Sequence, residues 1–173
     1  KGYAEGNRKS IGLLFFNPSL RTRLSSQRAA QNLGMDVVVL DVGSESWKLE
    51  FSDGKIMNGA SAEHINEAAG VMGAYFDFLA IRAFASLQDR DLDYAEPVLT
   101  SFMKHAGVPI INMESSTGHP LQAFADLITI DEFKKTERPK VVLSWAPHPR
   151  ALPHAVANSF AQWMNRAPVD LII

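Results

Sequence analysis

The sequence predicts an α/β protein in which helices cover both faces of a parallel sheet. Apolar runs of strand length alternate along the chain with longer segments of helical spacing. The strand candidates are continuous and rich in Val, Ile and Leu, which is typical of strands covered on both faces. Because parallel strands need crossover helices between them, this β-α-β-α order favours a parallel sheet.

The elements follow from the apolar pattern in chain order. Strands are predicted over residues 10–16, 36–42, 78–83, 108–113, 140–145 and 170–173. Helices are predicted between them, over residues 22–33, 62–73, 91–105, 120–134 and 153–163. The stretch from Gly43 to Ala60 has weak periodicity and is predicted to be a long loop, a feature that often carries function.

Composition excludes several classes of function. The 173 residues include 17 basic and 19 acidic side chains, so the net charge of −2 argues against nucleic-acid binding by bulk charge. The sequence has no cysteine, which excludes disulfides, thiolate metal sites and Cys nucleophiles, and which suits a reducing cytoplasm. No apolar run reaches the roughly 18 residues of a membrane-spanning helix, so we expect no membrane association of that kind.

The segment 134–139 is polar and ends in Pro139, which predicts a domain boundary. We expect residues 1–135 to form one α/β domain and residues 136–173 to begin a second. The chain starts without Met and stops inside the apolar run 169–173. We therefore expect a piece of a longer chain, in which the first domain lacks its first segment and the second domain is incomplete.

The turn Ser19-Leu20-Arg21-Thr22-Arg23 follows a predicted strand and precedes a predicted helix. Free backbone N–H groups and the helix dipole favour an anion at such a helix N-terminus. Ser19 and Thr22 add hydroxyl donors, and Arg21 adds a fork that matches phosphate geometry. The alternative is a simple helix cap with solvated arginines.

Two charged residues end neighbouring predicted strands. Arg82 lies at the end of the strand predicted over 78–83, and Glu114 closes the strand at 108–113. Ligands of open parallel sheets bind beyond the carboxyl ends of the strands. Arg82 and the turn of residues 19–23, called the anion turn below, are therefore predicted to lie at the same edge of the sheet. The alternatives are a surface arginine and a solvated loop carboxylate.

The tetrapeptide His119-Pro120-Leu121-Gln122 also follows a strand. Pro120 suits the first position of a helix, which makes His119 the cap residue. His119 and Gln122 lie three residues apart and share a helix face, where an imidazole N–H and a side-chain amide can polarise a carbonyl group. Simple capping is the alternative.

Two further candidates lie in loops. Trp47 is either a local packing anchor or a contact with a partner subunit. His148 follows the strand at 140–145 and lies six residues before His154. This spacing crosses several prolines, and we expect no metal site there.

Taken together, these motifs resemble those of the aspartate/ornithine carbamoyltransferases. Ser19-Leu20-Arg21-Thr22-Arg23 matches the family's Ser-x-Arg-Thr-Arg motif, and His119-Pro120-Leu121-Gln122 matches its His-Pro-x-Gln motif. Either motif alone is a weak signal, but their combination with Arg82 between them is specific. The segments 15–23, 47–50, 124–130 and 145–149 are most similar to the acylornithine branch, and most of all to its succinylornithine enzymes.

The resemblance implies a two-domain fold, a homotrimer and carbamoyl transfer to an N-acylated ornithine in arginine biosynthesis, without a cofactor. Residues 1–135 would be the carbamoyl phosphate-binding domain, and residues 136–173 the start of the amino-acid-binding domain. The family motifs place carbamoyl phosphate on Ser19, Leu20, Arg21, Thr22, Trp47, Arg82, His119, Pro120, Leu121 and Gln122. Of these, Arg82, His119 and Gln122 would be catalytic, and Trp47 would reach a neighbouring subunit's site.

The acylornithine would contact Glu114 and His148. Ala62 stands where succinyl enzymes resemble Pro and acetyl enzymes resemble Glu. Because Ala62 has no carboxylate to repel a succinyl group, succinylornithine is favoured over acetylornithine. The alternatives are an ornithine or aspartate carbamoyltransferase, or a non-catalytic anion-binding module.

Overall fold

A computed structural model describes residues 5–42, 47–52 and 54–173 of the chain. Its strands are β1 Ser10–Phe15, β2 Asp36–Asp41, β3 Leu49–Glu50, β4 Glu63–His64, β5 Phe78–Arg82, β6 Ile110–Glu114, β7 Lys140–Val142 and β8 Asp170–Ile172. Its helices are α1 Arg21–Asn32, α2 Ile65–Tyr75, α3 Arg90–Ala95, α4 Pro97–His105, α5 Pro120–Phe133 and α6 Ala155–Met164.

The main sheet has four parallel strands in the order β2-β1-β5-β6. Phe15 at the end of β1 lies opposite Arg82 at the end of β5, and Arg82 lies opposite Glu114 at the end of β6. The carboxyl ends of these three strands are therefore level with one another. The predicted α/β class with a parallel sheet is confirmed.

The core lies on both faces of this sheet because successive side chains of a strand point to opposite sides. Leu14 of β1 joins a buried cluster with Ile65 of α2 and Phe102 of α4. Its neighbours Leu13 and Phe15 join a second cluster, which includes Ala30 of α1. Helices consequently flank the sheet on both faces, as the apolar strands predict.

The prediction of a single helix over residues 91–105 is wrong. Helices α3 and α4 meet at Glu96, whose φ of 47° and ψ of 55° are left-handed. Pro97 is the first residue of α4. A proline disfavours the helical conformation of the residue before it, so the chain cannot continue straight from α3 into α4.

Two other boundaries differ from the prediction by three residues. The helix predicted from residue 62 begins at Ile65, because Glu63 and His64 pair with Leu49 and Glu50 in a small parallel sheet. The strand predicted over 140–145 ends at Val142, and residues 143–154 have no regular secondary structure. Of the predicted long loop, residues 43–46 and 53 lie outside the described residues.

Strands β7 and β8 form a separate parallel pair. Helix α6, which lies between them in sequence, packs against α5, with the rings of Trp163 and Phe124 5.1 Å apart between centroids. The predicted division into residues 1–135 and 136–173 stays a prediction. Within the described ranges, every helix is too short or too polar to cross a bilayer.

Candidate active site

The candidate site lies at the level carboxyl ends of β1, β5 and β6. The register between β5 and β6 shifts between Ile81 and Arg82, because β6 has one extra residue there, Met113, which marks a β-bulge in β6. Bulges of this kind re-aim side chains at sheet edges and occur often beside active sites. Backbone bonds tie the edge together: Phe16 N–H donates to Arg82 O, and Ala83 N–H donates to Glu114 O, both at 2.9 Å.

The N-terminus of α1 opens onto this edge. Its N-cap residue is Leu20, and no side chain of the described residues caps the helix. The capping alternative for Ser19 and Thr22 is therefore not what the structure shows. Uncapped backbone N–H groups together with the exposed Arg21 form an arrangement suited to an anion. Arg23, by contrast, forms an ion pair with Asp41, and its guanidinium lies over the ring of Phe15.

Arg82 is a buried arginine, not a solvated one, with 9% of its surface exposed. Its Nε and Nη2 donate to Oε2 of Glu114 at 3.1 and 2.9 Å, and its Nη1 donates to the carbonyl oxygen of Pro18 at 2.6 Å. The guanidinium also lies 4.2 Å from the ring centroid of Phe84. These contacts hold a full positive charge in one orientation beside the N-terminus of α1.

Glu114 is likewise buried, with 7% of its surface exposed. Its Oε2 faces both Arg82 and His119, whose Nε2 lies 3.4 Å away. The solvated-loop alternative for Glu114 is therefore wrong. A carboxylate in this place compensates the buried arginine and orients the imidazole.

His119 has an unpaired ring nitrogen. Its Nδ1 is buried and has no hydrogen-bond partner among the described residues. Burial lowers the pKa of His119 below 6.5, and Arg82 lowers it further, while Glu114 and Asp126 act to raise it. The imidazole is thus mostly neutral at pH 7, with one nitrogen directed at Glu114 and the other available to a ligand.

Pro120 occupies the first turn of α5, and His119 is its N-cap residue, as predicted. The side chain of His119 makes no capping bond, so the simple-capping alternative does not hold. Gln122 Nε2 donates at 2.8 Å to Oδ1 of Asp126, which lies one turn further along α5. This bond fixes the orientation of the Gln122 side-chain amide.

These groups line one cavity of about 720 Å³. From the start of α1 and the two residues before it come Ser19, Leu20, Arg21 and Thr22. From the ends of β5 and β6 and the start of α5 come Arg82, Glu114, His119, Leu121 and Gln122. The cavity combines helix N–H groups and two arginines at one side with an imidazole and an amide at the other. Such a set can bind a phosphate and polarise a neighbouring carbonyl group.

Sequence reasoning missed several parts of the site. Asp126 lines the cavity and lies four residues after Gln122, a helical spacing that would have indicated the contact. Val156 of α6 also lines it. Asn17 Oδ1 accepts the backbone N–H of Phe84 at 2.7 Å and so ties the anion turn to the chain after β5, which no local pattern signals.

Four predicted site residues do not line this cavity. One is Pro120, which lies between the lining residues His119 and Leu121, and the others are Trp47, Ala62 and His148. Trp47 packs beside the α2–α4 side of the core, and its Nε1 donates to Glu63 at 3.3 Å. Ala62 is exposed, and its backbone N–H donates to Lys48 O at 2.8 Å. His148 is exposed in the loop after β7, where its Nδ1 accepts the backbone N–H of Arg150 at 3.2 Å. Within the described part of the chain, no group of three or more His, Asp or Glu side chains is placed to hold a metal.

Comparison with known proteins shows the family of the chain. The family described as aspartate/ornithine carbamoyltransferase, carbamoyl-P binding domain, matches residues 2–132. The chain has the transcarbamylase fold, and it belongs to the aspartate/ornithine carbamoyltransferase family.

Within the family, the chain is similar to the acylornithine enzymes. It is 56% identical to N-succinylornithine carbamoyltransferase of Bacteroides thetaiotaomicron over 97% of its own length and 53% of that relative. It is 43% identical to N-acetylornithine carbamoyltransferase of Xanthomonas axonopodis pv. citri over 95% of its own length and 49% of that relative. The chain therefore spans about half the length of the curated relatives it matches.

A solved structure of acetylornithine transcarbamylase complexed with acetylcitrulline has the same architecture. It superposes on this chain with a TM-score of 0.90 at 40% sequence identity. The match covers 99% of this chain and 52% of the other. The similarity thus extends past the matched family domain into the segment that contains α6 and β8.

Proposed function

We propose that the protein transfers the carbamoyl group of carbamoyl phosphate to the δ-amine of an N-acylated ornithine, giving an N-acylcitrulline and phosphate. The observation that carries this proposal is the single cavity that joins the N-terminus of α1 to Arg82, His119 and Gln122. The similarity to N-succinylornithine and N-acetylornithine carbamoyltransferases supports the class of acceptor.

The phosphate group binds at the start of α1. Ser19 and Thr22 contribute hydroxyl groups, and Arg21 contributes its guanidinium. Leu20 is the N-cap residue, so it lies next to the phosphate at the start of the helix. Helix N–H groups and an arginine fork bind phosphate oxygens with charge-assisted hydrogen bonds. The uncapped state of α1 supports this assignment because the first N–H groups are not taken by a side chain of the described residues.

The carbamoyl group binds on the α5 side of the cavity, next to His119, Pro120, Leu121 and Gln122. Arg82 contacts both the phosphate and the carbamoyl oxygen. The unpaired Nδ1 of His119 supports a contact between the imidazole and the carbamoyl group, since a buried polar atom of this kind needs a partner.

In the chemical step, the δ-amine attacks the carbonyl carbon, a C–N bond forms, and the C–O bond to phosphate breaks. Arg82 donates hydrogen bonds to the carbamoyl oxygen and so stabilises the negative charge that develops there, while His119 holds the carbamoyl group in place for the attack. Arg21 and the N-terminus of α1 stabilise the departing phosphate, which accepts the proton that the amine loses. Holding both substrates in one cleft supplies much of the rate through orientation, and no cofactor takes part.

The acylornithine contacts Glu114 and His148. Ala62 favours a succinyl over an acetyl group because it puts no carboxylate near the acyl chain. The identity of 56% with a succinylornithine enzyme, against 43% with an acetylornithine enzyme, supports this preference.

The assembly is a homotrimer in which Trp47 completes the carbamoyl phosphate site of a neighbouring subunit. Its place outside the cavity of its own chain supports this arrangement. We further propose a role in arginine biosynthesis in the cytoplasm, to which the lack of cysteine is suited.

A product assay on the full-length protein tests this function. Carbamoyl phosphate is supplied with succinylornithine, acetylornithine, ornithine or aspartate in parallel reactions, and each carbamoylated product is quantified. We expect succinylcitrulline to form fastest. Turnover of free ornithine or aspartate alone would assign a different transcarbamylase, and binding of carbamoyl phosphate without any product would indicate a non-catalytic anion-binding module.

A further inference from the structure

The loop between β6 and α5 delivers His119 to the site, and it is unusually well fixed. Ser115 N–H donates to Gly118 O at 2.7 Å and so closes a tight turn. The hydroxyl of Ser115 also accepts the backbone N–H of Gly118 at 3.2 Å and the amide of Asn112 at 2.9 Å. Hydrogen bonds among residues 112–118 therefore stabilise the turn, in addition to its contacts with other elements.

Glu96 holds this loop from the α3–α4 junction. Its Oε1 accepts three hydrogen bonds, from Ser115 Oγ at 2.6 Å and from Thr117 N–H and Oγ1, both at 2.8 Å. Glu96 adopts the left-handed conformation, which costs free energy for a residue with a side chain. That conformation separates α3 from α4 at the residue whose carboxylate contacts the loop.

Helix α6 holds the same loop with two neighbouring residues. The hydroxyl of Ser159 accepts the backbone N–H of His119 at 2.7 Å, and Asn158 Nδ2 donates to Thr117 O at 3.1 Å. Ser159 is buried, with 4% of its surface exposed. These bonds link α6, which follows β7, directly to the residue that begins α5.

The hydrogen bonds that the loop forms with Glu96 and with α6 matter because the side chain of His119 does not fix its own backbone. At an ordinary helix N-terminus the side chain of the N-cap residue bonds the first N–H groups and thereby fixes its own orientation. His119 is the N-cap residue of α5, but its side chain faces Glu114 and makes no capping bond. The backbone of His119 must then be fixed by other residues.

Resting on the proposed function, we infer that Glu96 and Ser159 are positioning residues for His119, which clamp the backbone of residues 115–119 from two sides. Gly118 is not the cause of this fixed geometry. A Cβ there would meet Asn112, Ser115 and Ser159 only at 3.6 Å, an ordinary contact distance.

The test compares three variants of the full-length protein with two matched controls. Glu96→Ala removes the carboxylate, and Glu96→Gln keeps an oxygen that accepts the same three bonds. Ser159→Ala removes the acceptor of the His119 N–H. Asp89→Ala removes a capping bond to Leu92 on α3 without contacting the loop, and Gln162→Ala changes an exposed residue of α6.

Two measurements separate positioning from general stability. We expect Glu96→Ala and Ser159→Ala to lower kcat about 10- to 100-fold with KM for carbamoyl phosphate changed less than about threefold, since small misplacements of a reacting group cost this much. Glu96→Gln and both controls stay within about threefold of the unchanged protein. Ring ¹⁵N and ¹³C shifts of His119, assigned with His119→Gln, move in the two damaging variants only.

Unchanged His119 shifts and unchanged kcat in Glu96→Ala would overturn the inference, as would equal damage from Glu96→Gln. Equal damage from Asp89→Ala would also overturn it, since that variant leaves the loop bonds in place. If the unchanged protein makes no product, the proposed function fails, and the His119 shifts alone decide whether the clamp exists.

Discussion

The predicted site residues at the strand ends of this protein lie together, whereas those in its loops lie apart from them. At the ends of β1, β5 and β6, residues far apart in sequence converge on one cavity, and Arg82 and Glu114 are both buried there. Trp47, Ala62 and His148 lie on segments without regular secondary structure and do not line that cavity.

The difference follows from how each region is fixed. Parallel strand register places Phe15, Arg82 and Glu114 level with one another, so one sheet brings Arg82 and Glu114 together at the site. No such constraint applies to the loop residues. Under the proposed function, they contact a neighbouring subunit or the acceptor substrate, so their roles depend on molecules other than this chain.

The largest expected effect is at the strand ends. Replacing Arg82 by Ala should lower kcat/KM about 1,000-fold, because it removes a fixed donor for the developing oxyanion and leaves Glu114 buried without its partner. Steady-state kinetics on the full-length protein measure this loss. Arg90→Ala, which removes an exposed arginine stacked on Tyr94, is the matched control and should change kcat/KM less than about twofold. A loss below tenfold for Arg82→Ala would remove it from the catalytic centre.

Trp47 tests the loop side of the comparison. Trp47→Ala should lower kcat/KM roughly 30-fold if the ring completes a partner's site, as buried tryptophans at interfaces do. Co-expression with Arg82→Ala then provides a complementation test. In a closed trimer with random mixing, about a quarter of the sites combine an intact Arg82 with an intact Trp47 from the next subunit, so about a quarter of the activity should return. No recovery would mean that Trp47 acts within its own chain.

Replacing Ala62 should change the preference between the two acceptors more than it changes the overall rate of turnover. Ala62→Glu places a negative charge near the acyl chain and should lower the ratio of succinylornithine to acetylornithine turnover about tenfold. Ala62→Gln has the same shape without the charge and serves as the control. The ratio is measured by competition between the two acceptors, and an unchanged ratio would contradict the assignment.

The smallest effect concerns pH and the burial of His119. Because the pKa of His119 is lowered in the folded protein, the unfolded chain binds more protons below about pH 6.5, and the free energy of unfolding falls as pH decreases below that value. His119→Gln should remove this component. Urea unfolding of both proteins between pH 7.5 and pH 5 measures it, in a range above the titration of carboxylates such as Glu50, whose pKa is about 2. Parallel curves for the two proteins would contradict the lowered pKa.

Much of this architecture is predictable from the sequence, since strand β1 is a continuous apolar run and the two motifs stand directly after strands. The anion turn, Arg82 and His119 could be placed at one edge on that basis alone. The ion pair between Arg82 and Glu114 and the bond from His119 to Ser159 could not, because their partners are 32 and 40 residues apart and follow no period. The break at Glu96 was missed because apolar spacing continues through it, although Pro97 marks the place.

The most direct test of the account is a crystal structure of the full-length protein with carbamoyl phosphate bound. The account predicts the phosphate at the first turn of α1, against Ser19, Arg21 and Thr22. It predicts the carbamoyl group in the same cavity, within hydrogen-bond distance of Arg82, His119 and Gln122. Carbamoyl phosphate bound elsewhere, or bound with its carbamoyl group turned away from Arg82 and His119, would contradict the central claim.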